Sequence, residues 1–387
     1  MSDPDPIPDV NSNNLVKIMP DIRYLAINLP QFHPIPENNL WWGEGFTEWT
    51  NVARAHPLFR GHYQPHIPAD LGFYDLRLAE SRQAQAALAG RYGIDGFCYY
   101  HYWFHGRRLL ERPFNEILDS EQPDFPFCLF WANETWEGRW HGVTTGKKTL
   151  VKQEYSNQDD LDHIRWLAPA MADPRYIRVE NRPLFLIYRP LDLPDCARTL
   201  DTWRNEMARM GLPDPFFMAS NSHAHTENLL GYGFDGVLQF LPQLSVLDCF
   251  EPRDWKHRAK RLIANLKLGI TASDLHVYDY EESVRKMLLK SDWPVFQSLF
   301  PSWDNSARSG RSGVILKNSS PEKFQRLLWE ISQQTIAQQP EGHRLVFLNA
   351  WNEWAEGNHL EPDQRYGRGY LEAVKQTKDR ITSDTAA

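Results

Sequence analysis

Cysteine is scarce in this chain. The four present, Cys98, Cys128, Cys196 and Cys249, show no CxxC spacing and no short secreted framework. A disulfide scaffold and a zinc-ribbon module are both set aside on that ground. Cys98 and Cys128 fall inside apolar runs, where cysteine is usually a small core residue. Positive charge is also in deficit: 42 Lys and Arg against 50 Asp and Glu give a formal net charge of -8 and a pI near 6.0. A general nucleic-acid binder needs a basic surface, so that class of partner is not expected. No apolar run approaches the roughly 20 residues needed to span a bilayer. Met1 to Asn14 is polar and lacks the basic segment and apolar core of a signal peptide; it reads as part of a disordered lead-in over residues 1–20. The expected location is the cytoplasm, with peripheral attachment at the inner membrane face through a partner as the alternative. A serine nucleophile elbow is missing too.

Aromatic residues are plentiful: 15 Trp, 15 Tyr and 20 Phe, 13% of the chain. Many belong to cores, since aromatic rings bury large areas. Several, however, cluster beside Asn, Glu, His and Gln at the ends of apolar runs, a pattern suited to sugars. Flat rings cover C–H faces, and planar polar groups take hydroxyls.

The stretch Arg344 to Gly357 organises the reading. An apolar run, Leu345 to Leu348, ends in Asn349-Ala350-Trp351-Asn352-Glu353-Trp354-Ala355-Glu356-Gly357. Runs of that length fit strands buried on both faces, as in parallel sheets covered by helices. In a barrel of such strands, chemistry sits where the C-terminal strand end becomes loop. Glu353 and Glu356 therefore stand where a catalytic pair is expected. The competing reading is two glutamates in a first helical turn, favoured by the dipole.

Seven more runs resemble it: 24–29, 97–105, 127–131, 183–190, 216–221, 237–240 and 295–300. Helical patterns at 76–92, 159–170, 196–210, 281–289 and 321–339 fill the gaps. Eight buried strands alternating with helices predict an α/β fold, a single (β/α)8 TIM barrel over residues 21–380 with long insertions after some strands. Gly93-Ile94-Asp95-Gly96 and Gly233-Phe234-Asp235-Gly236 read as one helix-to-strand turn used twice. The insertion holding Trp41, Trp42, Glu44, Glu48 and Trp49 is read as pocket wall, because exposed apolar patches usually bind something.

Some motifs fail on context. Gly231 to Gly236 fits GxGxxG but precedes a strand, so the dinucleotide reading is rejected. Gly142 to Lys148 is too short for a P-loop. Asp160-Leu161-Asp162 falls in a helical pattern and is expected on a solvated face. His101 and His105 would suit a metal only on a helix; at a strand end, sugar or core contacts are expected instead.

The residues Gln31-Phe32-His33, Trp42 to Trp49, Gly96 to Trp103, Trp131-Ala132-Asn133-Glu134 and Trp351 to Gly357 resemble the WbsX-type family over Asp21 to Val374. Such proteins occur with lipopolysaccharide O-antigen and other surface-polysaccharide genes. They are similar in turn to glycoside hydrolase family 99, retaining (β/α)8 endo-α-mannosidases and endo-α-mannanases, mainly through Glu-Trp-x-Glu. The resemblance implies that Glu353 assists attack by the sugar's own 2-hydroxyl and that Glu356 is the acid/base for the leaving oxygen. No cofactor and no metal is implied. Glu134, Glu44 and Glu48 are spare carboxylates that could displace either assignment.

The expected activity is retaining hydrolysis of an α-linked, mannose-type bacterial surface polysaccharide. A glycosyltransferase or transglycosylase of O-antigen assembly, and a non-catalytic polysaccharide-binding barrel, are the alternatives. The expected partners are the glycan itself and, by association, surface-polysaccharide assembly proteins. The expected groove is lined by His33, Trp42, Glu44, Tyr100, His101, Trp103, Asn133, Glu134, Tyr188, Gln239 and Trp303, with Trp351 and Asn352 beside the pair.

Overall fold

Each of the eight apolar runs forms a strand: β1 (Arg23–Asn28), β2 (Gly96–Phe104), β3 (Phe127–Trp131), β4 (Arg182–Ile187), β5 (Phe216–Asn221), β6 (Gly236–Gln239), β7 (Gln297–Leu299) and β8 (Leu345–Leu348). In β3, β5, β6 and β8 every residue is buried, so neither face meets water. That is the signature of a parallel sheet with cover on both sides. The spatial order is β6-β5-β4-β3-β2-β1-β8-β7, all parallel. The two ends meet through a parallel bridge, Leu238 to Phe296, with Gln239 N–H to Phe296 O at 2.8 Å and Phe296 N–H to Val237 O at 2.8 Å. The sheet is thus a closed eight-stranded barrel.

The structure, a computed structural model, describes residues 22–138, 149–222, 227–247, 275–288 and 295–386. The expected lead-in at 1–20, Cys249, Gly142 to Lys148 and most of the charged region after Asp248 lie outside these residues.

Helices begin where the chain supplies caps. Ser156 opens α5 (Asn157–Ala172), Asp195 opens α6 (Cys196–Arg209), and Ser320 with Pro321 opens α9 (Pro321–Gln338), each side chain accepting an otherwise unpaired N–H. The insertion after β1 carries α1 (Pro36–Trp42) and α2 (Glu48–Arg54) before α3 (Ala79–Arg91). α4 (Arg112–Ser120) follows β2, α7 (Tyr280–Met287) precedes β7, the short α8 (Ser306–Ser309) follows it, and α10 (Gly369–Ala386) follows β8. Among the described residues, β5 and β6 are joined by a 3-10 turn, Leu229–Tyr232, where the other neighbouring strands are joined through an α-helix.

The repeated turn is a structural repeat as well. Asp95 Oδ2 accepts from Tyr24 N at 2.8 Å, and Asp235 Oδ2 accepts from Phe217 N at 2.9 Å. Each aspartate pins the backbone of the preceding strand. A Cβ on Gly96 would lie 2.7 Å from Ile177 Cδ1, and one on Gly236 would lie 2.6 Å from Phe296 Cε2, so both entry positions need glycine. One expectation is corrected here. Asp160 is buried, not solvated: it turns toward α6 and accepts from Thr199 Oγ1 at 3.1 Å, while its neighbour Asp159 accepts from Trp103 Nε1 at 2.9 Å.

Candidate active site

Beyond β8 the chain does not enter a helix. Asn352–Glu353 pairs antiparallel with Asn358–His359, and the hairpin tip is a single 3-10 turn, Trp354–Glu356. Gly357 closes it at φ +56, where a Cβ would stand 3.0 Å from Asp304 Cβ, so both backbone and space favour glycine. The hairpin is bolted to β1 by Asn352. Its Oδ1 accepts from Leu29 N at 2.7 Å, and its Nδ2 donates to Leu29 O at 3.0 Å and to Tyr74 Oη at 3.1 Å.

The two glutamates share one cation. Arg308, 7% exposed, donates through Nη2 to Glu353 Oε2 at 2.9 Å and to Glu48 Oε1 at 2.6 Å, and through Nη1 to Glu356 Oε1 at 2.7 Å. Glu48 Oε1 also accepts from Ala355 N at 3.0 Å, so α2 reaches across to hold the hairpin tip. One guanidinium thus faces three carboxylates, an excess of negative charge that favours proton uptake by the cluster. Burial pushes Glu353 up to about 8, helped by neighbouring Glu356 and opposed by Arg308. Glu356 is likewise raised by burial, against Arg308. Burial disfavours the Arg308 cation, but Glu48, Glu356 and Glu353 outweigh it and hold its pKa above the ordinary value. The pair therefore carries a proton at neutral pH, the condition for acid chemistry by a carboxyl.

Above the pair opens a cleft of about 410 Å³, within the range usual for small-molecule sites. Trp41, Trp42, Trp136, Trp303, Tyr100, Tyr102, Tyr188 and Phe240 supply its rings. Glu134, Glu137, Glu353 and Glu356 are its acids, and Arg308 is the cation among the described lining residues. Trp41 and Trp136 stand edge to face, 6.0 Å apart, and Trp136 does the same to Tyr102 at 5.1 Å. Burial pushes the Glu134 carboxyl up, against the Arg189 guanidinium 3.1 Å away.

The family described as Glycosyltransferase WbsX matches residues 24–374. The chain belongs to the WbsX family. Two relatives from strains of Xanthomonas campestris pv. campestris, each called uncharacterized protein WxcX, are 41% identical over 358 residues, 92% of this chain and 49% of theirs. The chain thus spans about half the length of these relatives. Among solved structures, the GH99 endo-alpha-mannosidase from Bacteroides thetaiotaomicron aligns with TM-score 0.55 at 14% identity, over 95% of this chain and 99% of its own. A protein titled glycoside hydrolase-like protein aligns with TM-score 0.56 at 15% identity, over 97% of both chains. At such identities the likeness speaks for the barrel fold alone.

In this WbsX barrel the residues singled out from sequence divide. Trp42, Tyr100, Glu134, Tyr188, Trp303, Glu353 and Glu356 line the cleft together. The others stand apart from its lining, so the expected single groove does not include them. His101 and Trp103 point outward from β2 under α5: His101 Nε2 is 2.9 Å from His163 Nε2 and its ring stacks on Trp166, while Trp103 stacks on His163. Gln239 donates to Met287 O at 2.5 Å, also outside the barrel. Glu44 is exposed and accepts from Asn39 Nδ2 at 3.0 Å. His33 is buried, and burial lowers its pKa to about 4. Trp351 packs on Phe97 at 5.1 Å, and Asn352 is the bolt described above. Asn133 is buried; its Oδ1 accepts from Arg189 N at 2.7 Å and its Nδ2 donates to Arg189 O at 2.9 Å, steadying the loop that carries Glu134. His105 is exposed, 3.9 Å from Asp159.

Sequence reasoning missed Arg308 and Tyr102, and it left Trp136 without a role. Tyr102 lies within Gly96 to Trp103 and Trp136 follows Glu134 by two residues, and that neighbourhood was their signal. Arg308 lies in Ser306-Ala307-Arg308-Ser309, a short polar stretch with no pattern to mark it. Glu48, held in reserve as a spare carboxylate, is fully buried in the cluster.

Proposed function

We propose that the protein hydrolyses an α-linked, mannose-type bacterial surface polysaccharide with retention of configuration. The observation that carries this reading is the pair of buried Glu353 and half-buried Glu356, bridged by one guanidinium at the floor of an aromatic cleft. Glycoside cleavage uses two carboxyl groups in different protonation states. Following the family resemblance, Glu353 takes the proton of the sugar's 2-hydroxyl as O2 attacks C1. The bond from C1 to the leaving oxygen breaks, and Glu356 protonates that oxygen. Water then opens the 1,2-anhydro sugar: Glu356 takes a proton from the water as it attacks C1, and Glu353 returns a proton to O2. Back-side attack by O2 needs the 2-hydroxyl trans to the leaving group, the arrangement of α-mannosides. In the ligand-free pair Glu353 is pushed up to about 8, with Glu356 as its second cause, so sugar binding has to move the shared proton toward Glu356.

A transferase is the second reading, favoured by the description attached to the WbsX family. Against it stands the cleft's charge. A sugar nucleotide brings a pyrophosphate, yet the described lining holds four glutamates and one arginine already engaged by three carboxylates. An uncharged glycan suits such a cleft better than an anionic one.

The deciding experiment is a glycan-release screen on α-mannan-type and O-antigen polysaccharides, with the parent protein beside Glu353→Gln and Glu356→Gln. Release with retention that both substitutions abolish supports the hydrolase. Turnover that appears only when a sugar nucleotide is added supports the transferase. Binding without turnover, untouched by either substitution, supports a binding barrel.

A further inference from the structure

Outside the cleft lining, the insertion after β1 meets the return strand of the carboxylate hairpin. There His66 Nδ1 lies 2.9 Å from His359 Nε2, and the Asp363 carboxylate joins them so that all three donor atoms lie within 4.8 Å of one another. The side chains are buried, at 8%, 1% and 4% exposure, which makes this a closed site. His359 and Asp363 are each oriented from behind. His359 Nδ1 is 3.0 Å from the Glu361 backbone oxygen; that nitrogen must be the donor, so Nε2 presents a lone pair toward His66. The His359 ring also stacks on Trp354 with centroids 3.7 Å apart. Asp363 Oδ1 accepts from the backbone N–H groups of Arg365 at 3.0 Å and Tyr366 at 2.6 Å, which fixes the carboxylate. Backbone carbonyls behind imidazoles and donors behind carboxylates are the outer partners typical of metal ligands.

We propose that His66, His359 and Asp363 bind one divalent transition-metal ion, for which Zn2+ is the first probe. Two imidazole nitrogens and a carboxylate oxygen are a borderline donor set suited to it. Nitrogens about 2.0–2.1 Å from a tetrahedral ion stand about 3.3 Å apart, so the two imidazoles need open by only a few tenths of an ångström. Contact between two rings is not the argument by itself. His101 and His163 are equally close at 2.9 Å, but they lie between Trp103 and Trp166, and no acid among the described residues completes the set. Arg365, which sits over the Tyr63 and Tyr366 rings, is a cation that opposes ion binding, and Asp304, paired with His62, is an anion that favours it.

The ion would join segments distant in sequence: the loop carrying His66, the hairpin strand carrying His359, and the turn at Asp363. His359 pairs directly with Asn352, the residue before Glu353. The site is therefore a structural pin for the hairpin, and the inference holds whichever reaction the cleft performs.

The test uses untagged full-length protein, stripped with a chelator, dialysed against Zn2+ and then against metal-free buffer. Elemental analysis is expected to find about one Zn2+ per chain. Zn2+ at about 100 μM is expected to raise Tm by about 3 °C. Both effects should be lost in His66→Phe and in Asp363→Asn and kept in His101→Phe. Asp363→Asn preserves the acceptor oxygen of the turn and covers the case in which His66→Phe does not fold. Less than about one ion in ten chains with no change in Tm overturns the proposal. So does binding that survives Asp363→Asn.

Discussion

Arg308→Gln removes the cation from a cluster that keeps all three of its carboxylates, Glu48, Glu353 and Glu356. Deleting one partner of a buried ion pair costs roughly 3–5 kcal/mol, because the remaining charge is left uncompensated. Here the loss should depend on pH in a defined direction. With the guanidinium gone, a second carboxyl must take up a proton to relieve the repulsion. In the unfolded chain these groups are ionised above about pH 5. A native state that holds one proton more than the parent loses roughly 1.4 kcal/mol of stability for each unit of rising pH. Between about pH 5.5 and 7.5 the gap between parent and variant should therefore widen by about 2.7 kcal/mol. Denaturant unfolding followed by tryptophan fluorescence at both pH values measures it. Arg308→Gln combined with Glu48→Gln should narrow the gap at the higher pH, since one of the stranded charges is removed. A gap equal at both pH values to within about 0.5 kcal/mol would refute the view that Arg308 compensates the cluster's charge.

The remaining predictions concern the same region. Glu353→Gln should be more stable than the parent by roughly 4 kcal/mol at pH 8, at about 1.4 kcal/mol per unit of the rise from 4.5, the gap closing toward pH 4.5. The sign follows from a folded pKa raised to about 8 from 4.5: the parent's stabilisation by the proton is complete below 4.5 and fades as pH rises through about 8, and glutamine never loses it. A series of Tm values across that range checks it. For the hydrolase, kcat/KM should fall as pH rises past about 8, when the pair gives up its last proton; a flat profile to pH 10 would count against acid catalysis by this pair. Trp41→Ala and Trp136→Ala should each weaken glycan binding by about 1–2 kcal/mol, read as a rise in KM with kcat little changed. Gly357→Ala should lose about 2 kcal/mol of stability in a melting experiment, from the positive φ and the 3.0 Å contact with Asp304 Cβ.

All eight barrel strands and five of the helices were legible in the chain itself, because their signals are local. A run of four to six apolar residues is short for a helix and fits a strand buried on both faces, and a capping Ser or Asp before a periodic segment starts a helix. The same holds for the position of Glu353 and Glu356, which follows from the strand-end rule once β8 is recognised. Tertiary structure alone decided which way the aromatic strand residues point. In β2, Tyr100 and Tyr102 line the cleft while His101 and Trp103 lie under α5. The alternation of two is visible in the sequence, but both sets carry aromatic rings, so no polarity difference names the inner face until the barrel closes. Arg308 and Glu48 lie 260 residues apart and meet on a guanidinium 2.6 Å from a carboxylate. No local pattern records that encounter, since what places Arg308 there is the summed geometry of loops leaving three different strands. Sequence determined the barrel and the carboxylate pair; the cation between the carboxylates, and the face of each ring, belong to the fold.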